Sequence, residues 1–281
     1  MTINGEPTAT TLQEPTDEQP VRIELHGRVG VITMHRPQSR NAINPAMRAA
    51  VPASIATLEA NDDVDVMVLT GADPAFCAGL DLKIMSDTPE RVLGRAERGF
   101  DSGSVRPFPD RTKPLIGAIN GAAITGGFEL ALNCDWLVAS EHALFADTHA
   151  RVGVMPGWGL TVLLADAVGR TRAREISLTG NFVSAQQALT WGLVNHVVAH
   201  EDLLPTVLGL AADIVGNDQV GVRRMLATYA DQEAASLDES WAIEGRGAAA
   251  FAEVAVPGSD IGNRREQIME RGRRQSGGQS D

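Results

Sequence analysis

The feature that most constrains the fold is an alternation of short β-type runs with helical segments, from about residue 21 to about residue 200. The runs at 66–69 and 113–120 are almost entirely apolar, which is typical of strands buried on both faces. Helical segments follow the runs, and this order predicts βαβ units in a mostly parallel sheet covered by helices. The predicted fold class is therefore α/β.

The same pattern divides the chain into three regions. Residues 1–20 are rich in Thr, Glu, Pro and Gln, and we expect a disordered lead-in there. Residues 21–200 form the predicted core, in which Asn44 and Pro45 have the residue types of a helix N-terminus. Residues 201–281 are predicted to be helical to a frayed tail, with breaks near Gly216 and Pro257.

Composition narrows the classes of function and the compartment. The formal net charge of −12 argues against binding to nucleic acid or to an acidic membrane surface. No apolar run approaches the ~20 residues of a membrane span, and the N-terminus lacks the features of a signal peptide. Two cysteines, Cys77 and Cys134, form no metal-binding pattern and no disulfide framework. We therefore expect a cytoplasmic protein without a metal.

Two turns made of small residues each lie between an apolar run and a helical segment. They are 76–79, Phe-Cys-Ala-Gly, and 125–127, Thr-Gly-Gly. Backbone N–H groups at a helix start lack partners, and small residues allow a ligand oxygen to approach them. The turns are either ordinary strand–helix connections or a pair of donors for an oxyanion.

Glu129 lies in the first turn of the segment that follows the second of these turns. Its neighbours on nearly all faces of the predicted helix are apolar, which indicates a buried helix. A carboxylate there is either a residue favoured by the helix dipole or a general acid/base whose pKa is raised by burial.

Three segments together carry a resemblance to a known family. The segments 75–82 (AFCAGLDL), 113–140 (KPLIGAINGAAITGGFELALNCDWLVAS) and 151–159 (RVGVMPGWG) resemble the enoyl-CoA hydratase/isomerase, or crotonase, superfamily. The segments 34–44 and 179–198 are similar to further parts of that family, in the same order. The resemblance covers the chain from about Val21 to the C-terminus.

The resemblance implies a spiral of β-sheet built from ββα repeats and a C-terminal helical region that supports a homotrimer or a dimer of trimers. It implies an acyl-CoA substrate and no separate cofactor, since CoA is part of the substrate. The oxyanion donors would be the backbone N–H groups of Ala78 and Gly126. CoA contacts are expected at residues of two segments: Arg40, Ala42, Ile43, Ala78, Gly79, Leu80 and Asp81, with Arg40 either pairing with a CoA phosphate or solvated.

One catalytic position departs from the family pattern. Family hydratases hold one water between two glutamates, and Glu129 matches the first, three residues after Gly126. The second normally lies ten residues before the last glycine of a Pro-Gly-x-Gly turn, which here ends at Gly159. That position is His149.

Three interpretations of this difference remain open. His149 replaces the carboxylate, as a neutral imidazole that accepts a proton from water near neutral pH. Alternatively, Asp147 or Asp135 reaches into the site and the chain performs another crotonase reaction. In the third, His149 is structural and hydration is weak. Two neighbours would shift the His149 pKa in opposite directions. Arg151 would lower this pKa, and Asp147 would raise it.

The leading hypothesis is thus an enoyl-CoA hydratase-like enzyme in which Glu129 is the acid/base. The alternatives are another crotonase reaction, such as isomerisation, thioester hydrolysis or decarboxylation, and an inactive acyl-CoA-binding protein. A nucleotide-binding protein is disfavoured, because no Walker-type loop is present. Trp158, inside the Pro-Gly-x-Gly turn, either narrows the acyl pocket or covers the outside of the turn.

Overall fold

The computed structural model describes residues 9–16, 18–81, 106–230, 269, 270 and 273. Its strands are β1 (Thr10–Gln13), β2 (Val21–His26), β3 (Val29–Met34), β4 (Val66–Gly71), β5 (Leu115–Ile119), β6 (Ala122–Ile124), β7 (Trp136–Ser140), β8 (Leu144–Ala146), β9 (Val183–Ser184) and β10 (His196–Val198). Its α-helices are α1 (Pro45–Glu59), α2 (Gly126–Leu132), α3 (His149–Val152), α4 (Leu160–Val168), α5 (Arg170–Thr179), α6 (Ala185–Trp191) and α7 (Leu203–Val215). Residues 219–230 are also helical.

The strands form a large sheet and a small one. The large sheet has the order β1-β2-β3-β4-β5-β7-β10, and the small sheet has the order β6-β8-β9. In the large sheet, β1, β2 and β3 pair antiparallel, whereas β3, β4, β5, β7 and β10 pair parallel. The prediction of a mostly parallel α/β sheet is confirmed.

Helix α1 begins as its sequence predicts. The side-chain oxygen of Asn44 accepts a hydrogen bond from the backbone N–H of Met47 at 2.8 Å, and Pro45 occupies the first turn. Its buried residues recur every three or four positions, from Met47 to Leu58, so that one face of α1 packs on the sheet. This packing stabilises the segment 40–44 that leads into α1.

Alternate residues of the parallel strands face opposite layers. Ile32, Met67 and Leu69 belong to the core shared with α1 and the small sheet, whereas Val31 and Val68 contact α7. Helix α7 contributes Leu203, Val207 and Ala211 to that second layer. Helix α7 lies beyond the predicted boundary at residues 200/201 but covers one face of the core sheet. That boundary therefore does not separate two independently packed units.

Several short elements differ from the prediction. The predicted disorder over residues 1–20 is wrong for Thr10–Gln13, which pair with β2 as strand β1. Strands β6 and β9 and the four-residue helix α3 lie where turns or loops were expected. They are too short to show a periodic pattern, and tertiary pairing determines them.

Other predictions lie outside the described residues. These are the helical segment expected after the 76–79 turn, the break at Pro257 and the frayed tail. Within the described ranges, no helix combines the length and the apolar character that crossing a membrane requires.

Candidate active site

The two turns of small residues meet in the fold. The backbone N–H of Cys77 donates to the carbonyl oxygen of Ala122 at 2.9 Å, and Ile124 N–H donates back to Cys77 at 2.9 Å. A Cβ atom on Gly79, which has φ +85°, would lie 2.7 Å from the Ile124 carbonyl oxygen, and one on Gly127 would lie 2.1 Å from that of Cys77. Glycine is required at both positions because two backbones approach each other there.

The two expected oxyanion donors differ in their present partners. Gly126 is the first residue of α2, so its N–H has no partner within the helix. The N–H of Ala78 donates to the carbonyl oxygen of Arg40 at 3.0 Å. Ala78 must therefore exchange that hydrogen bond before its N–H can bind a substrate oxygen.

The residues expected to contact CoA lie on two adjoining segments. Ile43 N–H donates to the Gly79 carbonyl at 2.8 Å, and Asp81 N–H donates to the Ile43 carbonyl at 3.0 Å. Ile43 and Leu80 form a parallel bridge. Ala42 and Ile43 are buried, whereas Arg40 is exposed. The structure thus brings these segments together beside Gly126.

Arg36 and Asn41 position these segments, and the sequence prediction included neither. Arg36 forms an ion pair with Asp81 at 3.3 Å and donates to the Ala42 carbonyl. The buried Asn41 side chain donates to the carbonyls of Ala72 and Ala75, both at 2.7 Å. Apart from the Arg36–Ala42 bond, these contacts join residues more than thirty positions apart, so no local sequence pattern predicts them.

Glu129 is buried in the first turn of α2. Its Oε1 accepts hydrogen bonds from the backbone N–H groups of Gly157 at 3.1 Å and of Trp158 at 2.6 Å. The Asn133 side chain, one turn further along, donates to the Trp158 carbonyl at 2.9 Å. The Pro-Gly-x-Gly turn is therefore attached directly to α2.

His149 lies between two buried carboxylates. Its Nδ1 is 2.7 Å from Oδ1 of Asp147, and the same oxygen accepts the backbone N–H of His149 at 3.0 Å. Its Nε2 is 3.6 Å from Oε2 of Glu129, which is too long for a direct hydrogen bond. All three side chains are no more than 6% exposed.

These contacts determine the charge of His149. Burial lowers its pKa, but the hydrogen bond to Asp147 and the negative charges of Glu129 and Asp147 outweigh burial and raise the pKa to about 9. Burial raises the pKa of Asp147, but the bond from His149 and a further one from Ser177 bring it below its ordinary value. These shifts favour the imidazolium form of His149 and the carboxylate form of Asp147 at neutral pH, in contrast to the expected neutral imidazole.

The positions of Asp135 and Arg151 show which charged side chains lie beside His149. Asp135 forms a bidentate pair with Arg111 at 2.7 and 2.8 Å and accepts the Leu115 N–H at 2.7 Å, at the start of β5. It therefore does not reach the site, whereas Asp147 does. Arg151 lies on the same short helix as His149, with its Nε beside Gly180.

Two threonines tie the halves of the site together. The hydroxyls of Thr125 and Thr148 are hydrogen-bonded to each other, and Thr148 N–H donates to Thr125 Oγ1 at 3.3 Å. Thr125 N–H also donates to the Ala146 carbonyl at 2.8 Å. The Gly126 turn and the His149 segment are thus held at a fixed separation.

Trp158 and Leu130 line a cleft whose lining includes neither Glu129 nor His149. The cleft has a volume of about 340 Å³. Its apolar lining comprises Ile43, Met47, Val51, Pro52, Pro107, Phe108, Pro109, Leu130 and Trp158. The Trp158 ring lies 3.7 Å from the position of a Cβ on Gly126, and the Arg48 guanidinium is 5.6 Å from the ring centroid. Trp158 therefore faces the cleft.

The family model "Enoyl-CoA hydratase/isomerase" matches residues 24–253. The chain belongs to the enoyl-CoA hydratase/isomerase family. Its sequence is 38% identical over 225 residues to a probable peroxisomal enoyl-CoA hydratase of Arabidopsis thaliana, covering 80% of this chain and 83% of the relative.

Solved structures of this family share the fold. An enoyl-CoA hydratase from Mycobacterium smegmatis superposes with a TM-score of 0.76 at 47% identity, covering 84% of this chain and 99% of the other. One from Mycobacterium tuberculosis H37Rv gives a TM-score of 0.75 at 50% identity, covering 83% and 98%. The predicted fold class is confirmed, and the chain is an enzyme of a family whose hydratases are lyases.

Proposed function

We propose that the chain is an enoyl-CoA hydratase-like enzyme that adds water to an enoyl-CoA thioester. The observation that carries this proposal is the separation of 3.6 Å between Glu129 Oε2 and His149 Nε2, next to the Gly126 turn. One group is an acceptor and the other a donor at neutral pH, which is the pair that hydration of a double bond requires. The apolar cleft that Leu130 and Trp158 line suits an acyl chain.

We propose that a single water bridges these groups. A water oxygen about 2.8 Å from both atoms forms the apex of a triangle whose base is the Glu129–His149 separation. The Glu129 carboxylate accepts a proton from this water, while Oε1 stays bonded to Gly157 and Trp158. The backbone bonds fix the carboxylate plane, so the free oxygen remains directed at the water.

The proposed reaction balances in three proton movements. Glu129 takes a proton from water, and the hydroxide forms a C–O bond with the β-carbon while the double-bond electrons move onto the thioester oxygen. His149 gives its Nε2 proton to the α-carbon as those electrons return. Glu129 then returns its proton to His149 across the short gap, which restores both groups.

The negative charge that develops on the thioester oxygen needs donors. We assign this role to the backbone N–H groups of Gly126 and Ala78. Ala78 contributes once substrate replaces the Arg40 carbonyl as its partner. Arg40, the only exposed cation of the predicted CoA segments, would pair with a CoA phosphate. No cofactor beyond the CoA of the substrate enters this scheme.

The decisive experiment compares wild type with Glu129→Gln on a short enoyl-CoA. We expect wild type to form the 3-hydroxyacyl-CoA and the variant to lose about 10³-fold or more in kcat, because Gln cannot accept the proton. His149→Ala should lose about 10²-fold. Turnover that survives Glu129→Gln would refute the role of Glu129, and unchanged turnover in His149→Ala would refute that of His149.

A second function is favoured by one observation, the engagement of the Ala78 N–H by Arg40. If that bond persists with substrate bound, one oxyanion donor is lost and hydration is weak. Another crotonase reaction, such as isomerisation, thioester hydrolysis or decarboxylation, or simple acyl-CoA binding would then remain. A panel of acyl-CoA thioesters with product identification by mass spectrometry separates these outcomes, and thermal stabilisation without turnover identifies the binding protein.

We also propose a homotrimer or a dimer of trimers in the cytoplasm. The family resemblance supports the assembly, and two cysteines without a disulfide bond support a reducing compartment. Light scattering coupled to gel filtration tests the assembly, and cell fractionation tests the location.

A further inference from the structure

The structure points to Asp147 as a positioning residue for His149. We propose that Asp147 fixes the His149 ring and supplies its counter-charge, so that the Asp147–His149 pair replaces the second carboxylic acid of the hydratase site. This inference rests on the proposed function, and it assigns a role to a residue that does not itself touch the substrate. Glu129 remains the base, and His149 remains the proton donor.

The Asp147 carboxylate fixes the orientation of the His149 ring. Oδ1 of Asp147 accepts both the Nδ1–H, at 2.7 Å, and the backbone N–H of His149, at 3.0 Å. A single oxygen therefore restrains the ring and its backbone together, and the remaining nitrogen is Nε2. That nitrogen is the one that faces Glu129. Rotation of the ring would break the Asp147 bond inside a buried site, which is costly.

Asp147 also determines the net charge of the cluster formed by Glu129, His149 and Asp147. A pair of glutamates that shares one proton carries a charge of −1. Glu129 with an imidazolium alone would be neutral, whereas Glu129, His149 and Asp147 together carry −1 again. Asp147 thus allows a cation to occupy a buried position without changing the charge that the substrate meets.

Among the residues that the structure describes, few charged groups lie near His149. Glu129 faces it from α2, and Asp147 faces it from the end of β8. Arg151, on the same helix as His149, has its guanidinium beside Gly180 and within 3.4 Å of Asn181. From α5, the Ser177 hydroxyl bonds to Asp147 rather than to His149. The protonation of His149 is therefore governed by the two carboxylates.

The experiment compares Asp147→Asn with Asp135→Asn by steady-state kinetics between pH 6 and pH 10. Both aspartates accept a backbone N–H and a cationic side chain, but Asp135 lies outside the site. We expect Asp147→Asn to lower kcat about 10- to 100-fold, because His149 is then held less well in the protonated, correctly oriented form that donates the proton. KM should stay within about 3-fold of the wild-type value, because Asp147 does not touch the substrate. Asp135→Asn should keep the wild-type pH profile.

The pH profile separates positioning from a merely structural role. In wild type kcat/KM should fall only as the pH rises through about 9, where His149 loses its proton. In Asp147→Asn this alkaline fall should occur at least about one pH unit lower. An unchanged alkaline limit, with reduced activity, would overturn the proposal.

A measurement without turnover keeps the two proposals distinguishable. Nitrogen-15 NMR of the histidine rings gives the titration of His149 in the resting enzyme, with the signal assigned by its absence in His149→Gln. The His149 midpoint should fall in Asp147→Asn and also in Asp147→Ser, which can still accept the backbone N–H of His149 and serves if the first variant does not fold. A midpoint that stays in place overturns the role of Asp147, whereas normal NMR shifts without hydration overturn only the proposed reaction.

Discussion

Two buried cations of this enzyme, Lys113 and His149, occupy contrasting sites. The Lys113 ammonium donates to the carbonyl oxygens of Leu58 at 2.9 Å, Glu59 at 2.7 Å and Asn61 at 2.8 Å. These carbonyls lie at and just beyond the end of α1, where the helix dipole favours a cation. All three donor hydrogens of the ammonium are used, so that site is complete within the protein.

Of the two carboxylates beside His149, only one is hydrogen-bonded directly to the ring. Asp147 satisfies Nδ1, but Nε2 and Glu129 Oε2 stay 3.6 Å apart without a direct hydrogen bond. A water or a substrate atom can complete this side, and a complete site such as that of Lys113 has no room for one. The comparison teaches that burial of a charge does not identify a catalytic group, whereas an incomplete set of partners does.

The largest effect that tests this comparison is expected from Lys113→Met. Three backbone carbonyls would lose their common donor, and we expect the free energy of unfolding to fall by about 2–4 kcal/mol. Turnover per folded molecule should stay at the wild-type value, because Lys113 contacts no group of the site. Denaturant unfolding and active-site titration measure the two quantities. A large loss of turnover in the folded variant would contradict the separation of the two sites.

The pH dependence of stability should distinguish the two sites by an effect of comparable size. The pKa of His149 is raised in the fold from 6.5 to about 9, so its contribution is fully present below pH 6.5 and is lost as the pH rises through about 9. Stability should therefore decline over that window, by at most about 1.4 kcal/mol per pH unit. The decline should persist in Lys113→Met and disappear in His149→Gln, and a decline retained by His149→Gln would assign it to another group.

The sequence predicts those parts of the site that depend on local pattern. Gly126 and Glu129 stand at the start of a helix with apolar neighbours, and the start of α1 is set by Asn44 and Pro45. Both helix starts need only a few neighbouring residues, and both are found where they were expected. Position 149, by contrast, was identified through the family resemblance, from its spacing to the Pro-Gly-x-Gly turn.

The partners of these residues could not be predicted, because they are distant in sequence or depend on burial. No sequence pattern near Lys113 predicts that its ammonium binds the carbonyls at the end of α1. None near Arg36 predicts its ion pair with Asp81. Asp147 offered one local signal, since aspartate side chains often accept the backbone N–H two residues later. That signal gives the bond to the His149 backbone but not the ring contact, which fixes the charge of His149.

The smallest effect concerns the apolar cleft that Trp158 lines. Trp158→Leu keeps the backbone N–H that holds Glu129, so kcat on a short enoyl-CoA should change by less than about 3-fold. The enlarged cleft should raise kcat/KM for longer or branched chains about 3- to 10-fold relative to the short substrate. Trp191→Leu is the matched control, because Trp191 also lies beneath an arginine, Arg172 at 5.7 Å, but is not part of the cleft lining. Equal preferences in the two variants would show that Trp158 is only a packing residue, and the acyl chain would then be bounded by other residues of the cleft.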